Sequence, residues 1–327
     1  MFVACAPPAA GPAVYDLRGA TMGTQFSVTV IIDGDTPGGE AALQLVVERE
    51  LALVDDRMSH YRADSEVSRF NRHEATTPFD VSAETFEVIA AAQRIAELTG
   101  GAFDITVGPL VETWGFGASS PEMPPSDAEV EALRRRLGFG RLRLDAQALT
   151  VQKDKPRLAI DLSAIAKGYG VDRVAEALES GGVERYLVEV GGEVRTAGLN
   201  AAGEPWRIAV EHPDPGAETF HRVLPLSGWA MATSGDYRNV REWGGRRLSH
   251  TIDPRTGRPV DHALASVTVV ADRCVSADGL ATAVLVLGPE AGFRFATTHD
   301  IAALLLVRTS DDRFEERVTP AFRRLLD

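Results

Sequence analysis

The sequence predicts an α+β fold with mixed or antiparallel sheets and packed helices. Short alternating or β-branched segments, which are typical of strands, recur along the chain, and amphipathic helical stripes lie between them. The order does not follow the strict strand–helix–strand alternation of a parallel sheet. With 327 residues, of which 44% are hydrophobic, the chain can bury the core of one large domain or two modest ones.

In the first half of the chain, residues 21–32 alternate and are rich in β-branched side chains, which predicts a strand. Apolar residues at steps of three and four in 43–58 predict an amphipathic helix. Ser82 is a typical N-cap for a second helix, and residues 127–138 predict a short charged one. Further strands are predicted at "RLRLD", "LTVQ" and "RLAID".

In the second half, the pattern changes to helix at Ser163, and this helix ends at Gly181 and Gly182. The next two segments, "RYLVEVGGEVRTAG" and "WRIAVEHP", predict further strands. The remaining segments, "LASVTVVA", "DGLATAVLVLG" and "IAALLLVRT", predict a mixture of strands and helices.

The charge and the cysteine content exclude several classes of protein. Thirty-four basic and 47 acidic side chains give a net charge of −13, which disfavours a broad surface for nucleic acid or for an anionic membrane. An anionic ligand would need local help from a helix N-terminus, a few basic side chains or a divalent cation. Cys5 and Cys274 alone support neither a disulfide framework nor a cysteine-based zinc site.

The N-terminal segment "MFVACAPPAAGPA" predicts a flexible tail over residues 1–14. It resembles the end of a bacterial lipoprotein signal with Cys5 as the lipid-anchored residue, but the charged and apolar parts of such a signal do not precede it. An ordinary disordered terminus with an incidental cysteine is the alternative. No run of 18 apolar residues occurs, so the sequence predicts no membrane-spanning segment.

The segment "IDLSAIAKGYGVD" places Lys167 one turn inside the helix predicted to begin at Ser163. A helix N-terminus presents unpaired amides and can hold a phosphate, although a merely capped helix with an exposed lysine fits the same residues. Gly168 and Gly170 do not form a dinucleotide fingerprint, because Arg173 stands where the third glycine belongs. The sequence has no Walker A motif.

Asp278 and Thr282 are four residues apart on a predicted helix and therefore share a face, where a carboxylate and a hydroxyl could bind a hard cation. The alternative is that Asp278 caps this helix and Thr282 bonds back to its own backbone. His250 precedes a tight turn and could act as a general base, or it could be a structural histidine. Ser234 lacks a nucleophile elbow, so a serine hydrolase is weakly supported.

Eight segments in order resemble one family. They are "TMGTQFSVTV", "MSHYRADSEVSRFN", "GAFDITVGPLVETWGFG", "IDLSAIAKGYGVDRVAEALE", "VEVGGEVRTAG", "SGDYRN", "SHTIDPRTGRP" and "SADGLATAVLVLG". The chain from residue 15 to its end is similar to the ApbE-type FAD:protein FMN transferases. The resemblance implies an ApbE-like, T-fold-like, two-lobed catalytic unit over residues 15–327.

The resemblance also implies the activity. Such enzymes bind FAD and Mg²⁺, attach the FMN half to a Ser or Thr hydroxyl of an acceptor protein with a Ser/Thr-Gly-Ala-Thr segment, and release AMP. Relatives are commonly exported and lipid-anchored, which implies a periplasmic or inner-membrane-anchored protein, with the cytoplasm as the alternative. A Mg²⁺-dependent FAD pyrophosphatase that gives FMN and AMP is a rival within enzymes, and a non-catalytic flavin-binding protein is a rival of another class.

Site residues are carried over by matching motif positions. The resemblance implies His250 as the general base, the backbone carbonyl of Ala164 with Asp278 and Thr282 as the Mg²⁺ ligands, and Asp278 as a catalytic residue through that metal. The residues implied to contact FAD are Met22, Tyr61, Ala102, Phe103, Asp104, Asp161, Lys167 and Ile252. Some related sequences carry an acid where Lys167 stands. The segment "RGAT" echoes an acceptor motif but has Arg18 in place of its first hydroxyl residue, so entry into the strand of residues 21–32 is predicted there instead of self-modification.

Overall fold

The computed structural model describes residues 11–34, 38–117, 121–213, 220–237, 240–243, 245–310 and 313–326. Their strands are β1 (Ala13–Thr21), β2 (Thr24–Ile32), β3 (Phe79–Asp80), β4 (Leu142–Asp145), β5 (Thr150–Lys153), β6 (Arg185–Val190), β7 (Glu193–Ala197), β8 (Trp206–Glu211), β9 (Phe220–Leu226), β10 (Ala230–Gly235), β11 (Val240–Trp243), β12 (Arg246–Ser249), β13 (Ile252–Asp253), β14 (Arg258–Pro259), β15 (Leu264–Ala271), β16 (Ala302–Arg308) and β17 (Phe314–Val318). The α-helices are α1 (Gly39–Met58), α2 (Glu66–Arg72), α3 (Ala83–Leu98), α4 (Gly108–Thr113), α5 (Asp127–Arg134), α6 (Ala166–Ser180), α7 (Cys274–Thr298) and α8 (Pro320–Arg324).

The largest sheet has eight strands in the order β1-β2-β6-β7-β10-β15-β16-β17. Each neighbouring pair in it is antiparallel. Smaller antiparallel sheets are formed by β3-β5-β4 and by the pairs β8-β9, β11-β12 and β13-β14. The predicted α+β class with antiparallel sheets and packed helices is confirmed.

The two faces of the large sheet carry different layers, because successive side chains of a strand point to opposite faces. On β16, Leu305 packs in a cluster with α7, whereas Leu304 packs in a cluster with β8, β9 and α8. Helices α1 and α6 cover the β2 and β6 end of the first face. A third cluster joins α2, α3 and the small sheet β3-β5-β4 to the first turns of α6 and to α7.

Several local predictions are confirmed. Ser82 caps α3 by accepting a hydrogen bond from the amide of Thr85. The predicted charged helix is α5, which begins with a capping box between Ser126 and Glu129. The predicted strands in "RYLVEVGGEVRTAG" form the hairpin of β6 and β7, and the one predicted in "WRIAVEHP" is β8. "RGAT" lies in β1, as the strand interpretation requires.

Other local predictions are wrong or incomplete. "RLAID" is not a strand, because the backbone of Ile160 bonds to the side-chain amide of Asn71 at 2.8 Å in both directions and not to a neighbouring strand. The helix predicted from Ser163 begins at Ala166, because the Asp161 carboxylate holds the amide of Ser163 in a turn. β1 was not foreseen as a separate strand; it begins inside the predicted tail of residues 1–14, and Cys5 lies outside the described residues.

Helix α7 is the central helix of the first face, and it is long and apolar enough to span a bilayer by length and composition alone. Within the protein, however, 61% of its most apolar stretch is buried. Gly288, with φ 82°, and Pro289 interrupt its regular geometry. These properties are typical of a core helix.

Helices α6 and α7 are in close contact at Gly168. A β-carbon at this position would lie 2.5 Å from the carbonyl oxygen of Cys274 and 2.8 Å from the β-carbon of Asp278. Both neighbours belong to α7, so a side chain here would force the two helices apart.

We expect Gly168→Ala to destabilise the protein by about 1–3 kcal/mol, the usual cost of overpacking a core. Urea unfolding measures this cost. Gly140→Ala is the matched control, because a β-carbon at Gly140 meets nothing within 4 Å and its φ is not positive. Equal stability losses in the two variants would contradict the close contact at Gly168.

Candidate active site

A cavity of about 390 Å³ collects the predicted site residues from distant parts of the chain. Its volume is within the range of small-molecule sites, roughly 300–1,000 Å³. Among the predicted residues, those that line it are Tyr61, Ala102, Phe103, Asp104, Asp161, Ala164, Lys167, His250, Ile252, Asp278 and Thr282. Met22 is the exception.

A buried charge cluster lies where α6 meets α7. The Nζ of Lys167 donates to Oε1 of Glu193 at 2.5 Å, and the amide of Gly168 donates to Oδ2 of Asp278 at 3.0 Å. Burial alone would lower the pKa of Lys167, but the carboxylates of Asp278 and Glu193 outweigh burial and raise it. Burial raises the pKa of Glu193, and the nearby charge of Asp278 acts in the same direction.

This cluster carries an excess of negative charge. With Glu193 and Asp278 ionised, two carboxylates face one ammonium, and the Oε2 of Glu193 is buried without a hydrogen-bond partner among the described residues. A buried, unsatisfied carboxylate oxygen is costly unless a water, ion or ligand completes it. The cluster is therefore suited to a bound cation.

The predicted cation ligands lie together around it. Ala164 lies two residues before the start of α6, and Asp278 and Thr282 face the cavity from α7. The hydroxyl of Thr282 is 3.0 Å from the hydroxyl of Ser234 on β10. Asp278 lies four residues beyond the start of α7, whose first amides are capped instead by Asp172, so the capping alternative for Asp278 is wrong.

The described residues contain no group of three or more His, Cys, Asp or Glu side chains that could hold a metal ion. The proposed ligands are a different kind of set, with one carboxylate, one hydroxyl and one backbone carbonyl. Mg²⁺ is typically held by one or two carboxylates together with waters and substrate phosphates, so the residues present fit this ion.

A second polar cluster joins Asp161 to His60. The Oδ1 of Asp161 accepts from the hydroxyl of Ser163 at 2.5 Å and lies 3.3 Å from Nδ1 of His60. Burial alone would lower the pKa of His60, but the hydrogen bond and charge of Asp161, with a smaller contribution from Glu112, raise it. Burial alone would raise the pKa of Asp161, but His60 and Ser163 lower it.

The "GAFD" segment forms part of the cavity wall after α3. Asp104 accepts hydrogen bonds from the amide and hydroxyl of Thr106, both at 2.8 Å, and from the amide of Phe139 at 2.9 Å. Burial raises the pKa of Asp104 although these donors oppose it. Its carboxylate therefore ties the segments that contain Thr106 and Phe139 together in the cavity wall.

The outer part of the cavity is aromatic and apolar. Tyr61 is 66% exposed, and its ring lies 3.9 Å from the ring of His60, centre to centre. His250 lies between β12 and β13, with its ring edge-on to Phe116 at 6.4 Å. Ile252 is buried beside them in a cluster with Trp114 and Leu110.

Met22 is not among the residues that line the cavity. Its side chain packs between two core clusters and approaches α6, where a β-carbon on Gly170 would be 3.0 Å from its terminal methyl group. Its backbone has a positive φ of 45° in the tight turn between β1 and β2. The predicted contact of Met22 with the flavin nucleotide stays a prediction.

Sequence reasoning gave no site role to several polar residues that line the cavity, among them His60, Ser163, Glu193 and Thr251. Glu193 carried a sequence signal, because a charged residue directly follows the Gly191–Gly192 pair inside a predicted strand segment, and the structure buries it at the start of β7. His60 is adjacent to the predicted Tyr61 but gave no periodic signal of its own.

We expect the pKa of His60 to lie above 6.5 and to fall below that value in Asp161→Asn. The substitution removes the charge that raises the pKa and leaves the burial that lowers it. Titration of the imidazole by NMR measures both values. Asparagine keeps an acceptor for Ser163, so an unchanged His60 pKa would show that Asp161 does not control it.

The chain was compared with known proteins. A model of the ApbE family matches residues 22–305. A FAD:protein FMN transferase of Vibrio cholerae is 46% identical over 313 residues, which cover 95% of this chain and 92% of that protein. The corresponding protein of Escherichia coli is 37% identical over 313 residues, with 95% and 88% covered.

Two solved structures have the same fold. The flavin transferase ApbE of Vibrio cholerae has a TM-score of 0.87 at 44% identity and covers 96% of this chain and 99% of its own. The apo form of the Pseudomonas stutzeri flavinyl transferase ApbE has a TM-score of 0.88 at 39% identity, with 96% and 97% covered. The sequence and the fold agree, and the chain belongs to the ApbE family.

Proposed function

We propose that this protein transfers FMN from FAD to a hydroxyl group of an acceptor protein and releases AMP. The observation that carries the proposal is a cavity that combines an aromatic and apolar rim with a cluster in which the half-buried ammonium of Lys167 faces two buried carboxylates. A flavin nucleotide has the matching parts, two planar ring systems joined by a charged pyrophosphate. The transferase names of the Vibrio cholerae and Escherichia coli relatives support the same activity.

We propose Mg²⁺ as the cation of this site, held by Asp278, Thr282 and the carbonyl oxygen of Ala164. When bound, Mg²⁺ would neutralise charge on the pyrophosphate and on the departing AMP. The chain contributes preorganisation. The amide of Gly168 fixes the Asp278 carboxylate, and the Ser234 hydroxyl, 3.0 Å from that of Thr282, can fix the orientation of the threonine.

The transfer is a substitution at the FMN phosphorus. A bond forms between the acceptor oxygen and this phosphorus, and the phosphorus–oxygen bond to AMP breaks. The acceptor hydroxyl must lose a proton, and His250, which lines the cavity and packs against Phe116, is the proposed base. Tyr61 and Phe103 offer ring surfaces for the nucleotide.

The acceptor proposed is a protein with a Ser/Thr-Gly-Ala-Thr segment. This chain's own "RGAT" is a poor acceptor, since Arg18 replaces the first hydroxyl residue of the motif and the segment is paired in β1, where Arg18 lies opposite Ser27. We also propose export and a lipid anchor at Cys5 of the full-length precursor, on the strength of the "VAC" sequence before the Pro/Ala-rich tail. The cytoplasm is the alternative location.

Two other activities fit parts of the same site. Water in place of the acceptor hydroxyl would make the protein a FAD pyrophosphatase, and the absence of any turnover would make it a flavin-binding protein. The buried carboxylate of Asp278 and the half-buried hydroxyl of Thr282, one helical turn apart and facing the cavity, favour a catalytic site over simple binding.

The first experiment is mass spectrometry of an acceptor domain incubated with this protein, FAD and Mg²⁺, with chromatography of the nucleotides. We expect the acceptor to gain the mass of an esterified FMN, with AMP released in equal amount, and EDTA to prevent both. Free FMN with an unmodified acceptor would indicate the pyrophosphatase, and intact FAD would contradict both enzymes.

A second prediction concerns the metal ligand. We expect Asp278→Asn to lower the transfer rate by about 10²-fold or more, since it removes a ligand charge while keeping an acceptor for the Gly168 amide. Initial rates at saturating FAD measure the loss. Asp272→Ala, at an exposed position before α7, is the control. Full activity of Asp278→Asn would remove Asp278 from the metal site.

A further inference from the structure

Glu193 is the one buried carboxylate of the cavity to which the family resemblance assigns no role. It lies at the start of β7, directly after the Gly191–Gly192 turn, and is 3% exposed. Its Oε1 accepts from Lys167 at 2.5 Å, while its Oε2 is buried without a hydrogen-bond partner among the described residues. A carboxylate kept only to stabilise the fold would normally have both oxygens satisfied.

Lys167 is attracted to two carboxylates at once. It is hydrogen-bonded to Glu193, and the charge of Asp278 also acts on it. The residue after it, Gly168, already donates its amide to Asp278, so the lysine emerges from the helix turn that contacts the proposed metal ligand. If Glu193 released it, the ammonium would have a ready partner in Asp278.

An ammonium paired with Asp278 would compete with a divalent cation for the same carboxylate. We propose that Glu193 is a positioning residue that holds Lys167 away from Asp278 and so keeps this carboxylate available to the cation. The inference rests on the proposed function, because it takes Asp278 as a cation ligand. It assigns Glu193 no contact with the reacting atoms.

The test is cation binding by the purified full chain, with Mn²⁺ as the probe and Mg²⁺ as its competitor. Electron paramagnetic resonance measures free Mn²⁺ and gives the dissociation constant without any turnover. We expect Glu193→Gln to weaken binding by about tenfold or more, the usual effect of losing a residue that orients a metal ligand. Glu193→Asp keeps the charge but shortens the reach to Lys167, and we expect it to weaken binding as well.

The variant Lys167→Met distinguishes two ways in which Glu193 could favour cation binding, by holding the lysine or by its own negative charge. If Glu193 acts by holding the lysine, then Glu193→Gln has little effect, about threefold or less, in the Lys167→Met background, because no ammonium remains to compete. If Glu193 acts only through its negative charge, the loss is the same with and without the lysine. Thermal unfolding of each variant confirms that it is folded.

Equal losses in the two backgrounds would overturn the positioning role, as would wild-type affinity in Glu193→Gln. Failure of the wild-type protein itself to bind Mn²⁺ or Mg²⁺ would overturn the assignment of Asp278 and this inference with it. Transfer of FMN to an acceptor is measured separately by mass spectrometry, so the proposed activity and the role of Glu193 can fail independently.

Discussion

The site depends on one hydrogen bond, from the amide of Gly168 in the first turn of α6 to the carboxylate of Asp278 on α7. The first amides of a helix have no partner within it, so Asp278 satisfies one of them. The same bond fixes the carboxylate, and it can form because glycine lets the helices touch. Ala164 and Lys167 lie within about one turn of this contact, so their positions relative to Asp278 follow from it. The sheet supports the arrangement, since α6 packs against β7, which carries Glu193, and α7 packs against β10, which carries Ser234.

The charges around this contact suggest how a protein of net charge −13 could bind an anionic substrate. The carboxylates near the cavity differ in how fully their negative charge is already balanced. Asp104 is occupied by three donors of its own wall, and Asp161 is shared between Ser163 and His60. Glu193 and Asp278 share a single ammonium, and one oxygen of Glu193 has no partner among the described residues. A divalent cation placed there would reverse the local sign and make this part of the cavity attractive to phosphates.

The sequence predicted the fold class and many elements because their patterns are local. Ser82 caps α3, and the alternation in residues 21–32 matches β2, since capping and strand periodicity need only neighbouring residues. It failed at "RLAID", whose alternation is that of a strand but whose backbone is held by the side chain of Asn71, 89 residues away. The start of α6 was misplaced for a related reason, because the Asp161 side chain competes with the helix for the amide of Ser163.

The sequence predicts those residues of the candidate site that belong to a motif, but it does not predict the residues that reach the site only through tertiary packing. The motifs identify Lys167 and Asp278. They do not indicate that Glu193, 26 residues from Lys167, lies in the same cluster. His60 was missed because its role depends on Asp161, which reaches it only in the folded chain. Met22 is a different case, since its motif predicts contact with the nucleotide and its side chain packs against α6. A motif position can serve helix packing, ligand contact or both, because both depend on the folded chain, and sequence alone does not separate the two.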